Sequence, residues 1–511
     1  MLKQLNVIII SPSSYDDGGR LLQYQYILMK SPAPKVLESL VRIAASVRGV
    51  LCDVSFVEER LEIGESYIGA IRRLPMPSSL IFITARTYEL ARAIDIARRM
   101  KGFGYTVVIG GPGVTLADWK TYDYMVRYGI VFNVGEGEIT VGRIVEDFLN
   151  GGLKPFYWQK EYVDISIAPL PALSGPHEHE RCLNPMVGIN TSEGCPFKCS
   201  YCCVIKLRGG NVNACRARNP EAVLDWVEQT HRNGHRIILG DDNFRRSFHY
   251  ETLKKGLIRL NESVKKTTGR PLDIFIQIDS AGGIEKEMRD LAKAGITHVF
   301  TGMESLDSGA LKDMNKQHNK PERYQEIASQ WRQHGVLVNS GVMLGFPTQT
   351  RKEIKEQVMG FNRILDLTSL FCVTPLPGSR DYEDAVKDES LLTFDPNEYD
   401  LRHVCRDWFE KMSPKEAQDA FHQAPFWVTS VRYRIGRGRS VGQLIRNVKN
   451  NAYGKLMAYW GTLDPNRRYP YLFMMDGIPR YAGIMRPNDG FRGFPLTVDD
   501  LVRKVPYLES L

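Results

Sequence analysis

Residues 193–202, Glu193-Gly194-Cys195-Pro196-Phe197-Lys198-Cys199-Ser200-Tyr201-Cys202, set three thiols at a C-x3-C-x2-C spacing. Three thiolates leaving one loop can hold three irons of a cubane cluster and leave the fourth iron open to another ligand, unlike a closed four-cysteine site. An iron with an open position does chemistry rather than only bracing a fold. The competing reading is structural zinc, which needs a fourth protein ligand. Cys203 is adjacent and sterically awkward for that role, whereas Cys215 lies far enough along the chain to serve. Nine cysteines, five of them between Cys195 and Cys215, do not form the even-numbered pattern of a secreted disulfide framework.

Such a loop must leave a rigid element at a defined end. Residues 186–191, 236–239, 272–278, 297–302, 337–343 and 369–374 read as strands, and 221–233, 250–265, 284–294, 321–334 and 350–365 as helices. Six βα units imply a partial (β/α)6 barrel with its site at the carboxyl ends of the strands, and the cysteines follow strand one. A second series precedes it, with strands at 6–11, 51–57, 79–84, 106–109 and 130–134 and helices near 35–47, 88–101 and 139–149. That alternation reads as a doubly wound, Rossmann-like α/β sheet, whose ligands sit at strand ends carrying Ser11-Pro12-Ser13-Ser14, Thr84, Gly110-Gly111-Pro112-Gly113 and Gly135-Glu136-Gly137. Taken alone, Gly110-Gly111 is weak evidence, because glycine after a strand is more often just a turn.

The expected organisation is a front domain at 1–150, a linker at 151–185 marked by Pro155, Pro169, Pro171 and Pro176, a barrel at 186–375, and a mainly helical, basic tail at 376–511 that closes the barrel mouth. Hydrophobic residues at 43% and charged residues at 25% are globular averages and exclude a rod or a long disordered chain. The longest aliphatic runs, such as Val7 to Ile10, fall far short of the roughly 20 apolar residues of a membrane span. With no secretory signal evident at the start, a cytoplasmic setting is expected. The net charge of +8 is concentrated: between Phe426 and Pro470, Arg432, Arg434, Arg437, Arg439, Arg446, Lys449, Lys455, Arg467 and Arg468 face one acid, Asp464. Such a stretch suits an anionic substrate, membrane surface or nucleic acid, or is simply a solvated face.

The cysteine motif after strand one of a βα series resembles the radical S-adenosylmethionine (SAM) superfamily over about 186–374. The resemblance implies that Cys195, Cys199 and Cys202 ligate an oxygen-sensitive 4Fe-4S cluster, with SAM chelating the fourth iron and Tyr201 lying against the adenine. An electron from the cluster then cleaves SAM to a 5′-deoxyadenosyl radical, which needs a dry, enclosed barrel mouth. Where the family carries Gly-Gly-Glu for the SAM amino group, this chain has Gly240-Asp241-Asp242-Asn243, so Asp241 or Asp242 takes that place. Glu304 in Gly302-Met303-Glu304-Ser305 matches the ribose-binding carboxylate, and Gly341–Pro347, with Gly345, resembles the segment along the adenine. Gln277 and Asp279 are polar at the end of strand three, where substrate or cosubstrate would sit.

Thr84, Thr87, Gly110–Thr115 and Gly135–Glu138 resemble the cobalamin-binding-type domain of one large subclass, which includes hopanoid methylases, the anaerobic Mg-protoporphyrin ester cyclase and tetraether or lipid-ring synthases. By that resemblance Thr84, Gly110, Gly111 and Gly135 are cofactor-binding candidates. The first 150 residues contain no Asp-x-His-x-x-Gly, and no histidine precedes His177, so they supply no lower axial histidine to cobalt. The implied activity is methylation or other remodelling of a small-molecule or lipid substrate, with an electron donor such as flavodoxin or ferredoxin. Three alternatives stand beside it. One is transfer of the 3-amino-3-carboxypropyl group of SAM to a heteroatom such as arsenic in arsenite, with Cys203, Cys215 and Cys372 as nearby thiols. Another is RNA modification, motivated by the basic tail, although no RNA-binding module is recognisable. The third is a non-catalytic zinc-binding protein.

Overall fold

The computed structural model describes residues 4–27, 29–182, 186–208, 216–280, 285–429, 479–480 and 484–502. Cys215 and the basic stretch beyond residue 430 lie outside the described residues. Along the first strand, β1 (Gln4–Ser11), Leu5, Val7 and Ile9 point to one side and Ile8 and Ile10 to the other, and all five are buried. A strand with both faces covered belongs inside a parallel sheet. The partners are β2 (Leu51–Glu58), β3 (Ser79–Thr84), β4 (Thr106–Gly110), β5 (Val131–Val134) and β6 (Phe156–Trp158), all parallel in the order β2-β1-β3-β4-β5-β6. Helices α1 (Ala33–Val47) and α3 (Gly137–Asn150) cover one face through Leu40, Val41, Ile144 and Val145. Helix α2 (Leu90–Gly102) covers the other through Ile94, Ala97 and Met100. Strand β6 falls inside the stretch that reads as linker: Phe156-Tyr157-Trp158 follows Pro155 and is too short to display any period.

The second sheet runs β7 (Met186–Ile189), β8 (Arg236–Leu239), β9 (Ile274–Ile278), β10 (Ile296–Glu304), β11 (Leu337–Leu344) and β12 (Leu367–Cys372), each parallel to the next in chain order. Helices α4 (Pro220–Arg232), α5 (Tyr250–Thr268), α6 (Glu285–Lys293), α7 (Tyr324–Gln333) and α8 (Arg351–Ile364) lie between them, which is the partial barrel that the alternation predicts. Local chemistry fixes their starts. Asn219 accepts from the backbone of Glu221 and Ala222 with Pro220 in the first turn, and Thr350 and Glu353 form a reciprocal capping box. Outward residues such as Val187, Ile237, Ile276 and Val338 join the helices in one core, while Met186, Ile238 and Phe275 face inward and pack against Met29 and Phe300. Met29 comes from the segment leading into α1, so the two sheets are joined through the barrel interior.

Beyond β12 the described residues include a helix at Arg380–Lys387 and α9 (Pro414–Thr429), whose Ala420, Phe421 and Ala424 complete the barrel's outer core. Between them an irregular segment runs along the strand ends, where Cys372 N donates to Leu401 O at 2.8 Å and Glu410 N to Pro347 O at 3.0 Å. This segment is latched to the loop after β1. Asn397 exchanges two 2.9 Å hydrogen bonds with the Tyr15 backbone, and His403 sits between Asp400 (Nδ1 to Oδ1, 2.8 Å) and Asp17 (Nε2 to Oδ1, 2.9 Å). Burial disfavours the imidazolium, but Asp400 and Asp17 outweigh it and lift its pKa to about 10. A raised folded-state pKa contributes stability that is full below the unfolded value of about 6.5 and fades as pH climbs through 10. The melting temperature is therefore expected to fall between pH 6.5 and 10, and His403→Gln to flatten that part of the profile, as read by thermal unfolding across pH.

Candidate active site

The cysteine loop is pinned at both ends. From the end of β8, Asp241, 0% exposed, accepts from the Thr191 and Ser192 backbone amides and from Thr191 Oγ1 (2.6 Å), and Asp242 Oδ2 accepts from Gly194 N at 2.8 Å. Burial pushes the Asp241 carboxyl up to about 7 despite those donors. Both Asp241 oxygens thus accept bonds that shape the loop, whereas Asp242 Oδ1 accepts none among the described residues. Further on, Ser200 N donates to Met314 O at 3.0 Å and Asn315 Nδ2 to Lys198 O at 2.8 Å. Cys195, Cys199 and Cys202 are half-buried. Burial and the neighbouring Cys203, Cys199 and Cys195 raise the Cys202 thiol, so these thiols share one electrostatic environment. Thiolates that oppose one another's ionisation are the donor set that cationic iron relieves. Among the described residues no three His, Cys, Asp or Glu side chains are arranged to hold one metal ion. A cubane differs from such a shell because each thiolate binds a separate iron.

Opposite the loop, the β10–β11 register shifts between Thr301 and Glu304, and Glu304 ends the strand at φ 62. This turns its carboxylate to Tyr201, whose hydroxyl donates to Glu304 Oε1 at 3.1 Å. Tyr201 packs with Met314, Met343 and Phe346, and Gly345 is held by Gln349 Oε1, which accepts from the amides of Gly345 and Phe346 at 3.0 and 3.1 Å. Gln277 is half-buried in β9, in register with Phe300, and its side-chain amide has no hydrogen-bond partner among the described residues. Asp279 is occupied by Asn243 (3.1 Å), Arg246 (3.0 Å) and Arg245 (3.4 Å). Those partners hold its carboxyl below the usual range even though burial opposes them. Asp279 is therefore a satisfied strand-end group. Cys372 belongs to the core shared with the outer helices, and Cys203 remains near Asp242 and Arg208. Lys316 and Gln349 are site residues that sequence reasoning missed, since both sit in loops without a recognisable spacing.

Thr84, Gly110, Gly111 and Gly135 come together on a cavity of about 270 Å³. Leu37 and Leu40 of α1, Val141 and Ile144 of α3, and Phe82 and Val108 of the sheet form an apolar slot. Asn190, Glu193, Arg208 and Arg218 close it from the barrel side. Glu193 stands two residues before Cys195. Arg208 Nη1 lies 2.8 Å from Glu193 Oε2, and Arg216 Nη1 donates to Glu136 Oε2 at 2.8 Å, tying the Gly135–Glu138 loop to the barrel. Gly111 and Gly135 also have a packing reason to be glycine: their φ angles are 100° and 86°, and a Cβ would lie 2.8 Å from Ala85 O and 2.7 Å from Gln159 O. Gly110 has none, because its Cβ would make an ordinary 3.6 Å contact with Asn133.

Residues 189–358 match the sequence pattern of the Radical SAM superfamily. Residues 189–358 are thus a radical SAM domain. The non-catalytic zinc reading is thereby replaced by an enzyme family. Similar proteins include the hopanoid C-2 methylase of Rhodopseudomonas palustris, 27% identical over 55% of this chain and 52% of that protein. The bacteriochlorophyllide d C-12(1)-methyltransferase of Chlorobaculum tepidum is 26% identical over 71% of this chain and 76% of that protein. The match therefore spans about half the length of the first relative and three quarters of the second. Two solved structures share the radical SAM fold seen here. The cobalamin-dependent radical SAM enzyme OxsB, with aqua-cobalamin bound, gives a TM-score of 0.62 at 14% identity, covering 90% of this chain and 72% of that one. The radical SAM methyltransferase TsrM of Kitasatospora setae, with cobalamin and a 4Fe-4S cluster bound, gives 0.57 at 16% identity, covering 82% and 85%.

The slot suits the cofactor of those two structures in kind: an apolar cleft between helices and sheet, with amide, hydroxyl and charged groups at its mouth. None of its lining residues among those described is a histidine, cysteine or methionine, so these residues offer cobalt no imidazole or sulfur ligand.

Proposed function

We propose that this chain is a cobalamin-binding radical SAM enzyme that methylates or otherwise remodels a small-molecule or lipid substrate. The observation that carries this reading is the position of the cavity, bounded on one side by Gly110, Gly111 and Gly135 and on the other by Glu193 beside the cysteine loop. A corrinoid in the slot would meet the reaction centre rather than a remote surface.

In this reading a cluster supplies the electron that divides SAM, and a corrinoid carries a methyl group. The chain's own residues do the rest. Cys195, Cys199 and Cys202 ligate iron, Asp241 and Asp242 fix the loop's exit from β7, and the open Asp242 oxygen accepts from the SAM amino group. Glu304 binds the ribose, and the Met343, Phe346 and Tyr201 nest takes the adenine and excludes water. Flavodoxin or ferredoxin is the proposed reductant, in a cytoplasmic setting. No helix among the described residues is long and apolar enough to cross a membrane.

Anaerobic purification with cobalamin, iron and sulfide in excess tests the reading. It predicts about four irons and about one corrinoid per chain, the corrinoid seen in the visible spectrum after desalting. A chain that holds iron yet leaves all corrinoid in the wash overturns the cobalamin assignment.

A further inference from the structure

Lys316 is 8% exposed, and an ammonium enclosed to that degree requires counter-charge and acceptors. It has both. Nζ donates to Glu304 Oε1 at 2.8 Å and to the Tyr201 hydroxyl at 3.0 Å, while Tyr201 donates to that same Glu304 oxygen. Burial works against the charge, but the Glu304 carboxylate outweighs it and raises the Lys316 pKa. Glu304 Oε2 receives no hydrogen bond among the described residues and faces Gly341, where a Cβ would come within 3.0 Å of it. One carboxylate oxygen is therefore held by the protein and the other is left for a ligand.

The backbone around Lys316 is stitched to both sides of the site. Met314 and Asn315 bind the cysteine loop, and Asn319 Nδ2 donates to Gly302 O at 2.7 Å and Met303 O at 3.1 Å at the end of β10. Gly302 makes room for the ion pair, since a Cβ there would lie 2.7 Å from Lys316 Nζ and 2.8 Å from Glu304 Oε1. Nothing in the reaction requires proton transfer from a lysine already committed to two oxygens. Its geometry instead joins a residue between two of the cysteines to a carboxylate on another strand.

We propose that Lys316 is a positioning residue for SAM: by clamping Tyr201 and Glu304 together, it holds the adenosyl-binding groups in fixed register with the cysteine loop. This rests on the reading that Tyr201 and Glu304 face the adenosyl group.

The test uses the full chain, reconstituted anaerobically, with SAM affinity measured by equilibrium dialysis and the reduced cluster followed by electron paramagnetic resonance. Lys316→Met is expected to keep its iron but bind SAM about tenfold or more weakly, the loss that one charge-assisted hydrogen bond carries. At SAM concentrations that change the wild-type spectrum, its spectrum stays that of the SAM-free cluster. Lys316→Arg restores most of the affinity, and Gly302→Ala, which pushes a methyl group into the pair without altering charge, behaves like Lys316→Met. SAM affinity in Lys316→Met within about twofold of wild type overturns the proposal. Should Lys316→Met lose iron, Gly302→Ala decides instead: iron-loaded protein with wild-type affinity overturns it, and weakened affinity supports it. Failure of the wild type itself to bind SAM would strike the underlying reading, not the role of Lys316 alone.

Discussion

Cys199→Ala is expected to lower bound iron from about four per chain to well under one and to bring SAM cleavage below detection. Three thiolates are the minimum that leaves a single iron open, and no fourth described side chain stands ready to replace one: Cys203 follows directly on Cys202 and faces Asp242 and Arg208. Cys195→Ala and Cys202→Ala should behave alike. Cys203→Ala should retain its iron, and so should Cys372→Ala, which removes a sulfur from the outer core and costs stability rather than cofactor. Iron and sulfide analysis with anaerobic visible spectra separates the two groups. Iron retained by the three single variants, or lost equally from all five, would contradict the ligand assignment.

Gly110→Leu is expected to weaken corrinoid binding by about tenfold or more while leaving the melting temperature and iron content close to wild type. Side chains two apart in a strand share a face, so a leucine at 110 projects beside Val108 into the slot. The backbone there accepts a Cβ at an ordinary contact distance. The neighbouring Gly111→Ala gives the contrasting result. It forces a side chain into φ 100° against the Ala85 carbonyl, a strain of about 1–3 kcal/mol that lowers the melting temperature whether or not corrinoid is present. If the two variants lose corrinoid and stability in parallel, the glycines serve packing alone and the slot is not the cofactor site.

Much of the architecture is legible in the sequence because both sheets are parallel and covered on both faces. Runs such as Val7 to Ile10, set between Asn6 and Ser11-Pro12, then stand out as continuous apolar segments. The same rule misses β6, whose three aromatic residues gain strand geometry only by pairing with β5. At the site, the thiol spacing identifies the loop, but the fate of each carboxylate depends on tertiary approach. Asp241 and Asp242 are indistinguishable in sequence, and only the Thr191 and Ser192 amides reveal that Asp241 is consumed by loop anchoring. Lys316 is invisible for the same reason: its partner Tyr201 lies 115 residues away, and no local pattern records the meeting. Glycine is ambiguous in a different way, since Gly111 lines the cavity yet is already required by its φ of 100° and its contact with the Ala85 backbone.

The most direct test of the central claim is the set of fragments released from SAM by the reconstituted, chemically reduced chain under anaerobic conditions. A radical SAM enzyme of this type yields 5′-deoxyadenosine, with formation abolished in Cys199→Ala. Recovery of intact SAM from an iron-loaded, reduced protein, or release of methylthioadenosine alone, would contradict it, the latter by showing that the aminocarboxypropyl bond is the one that breaks.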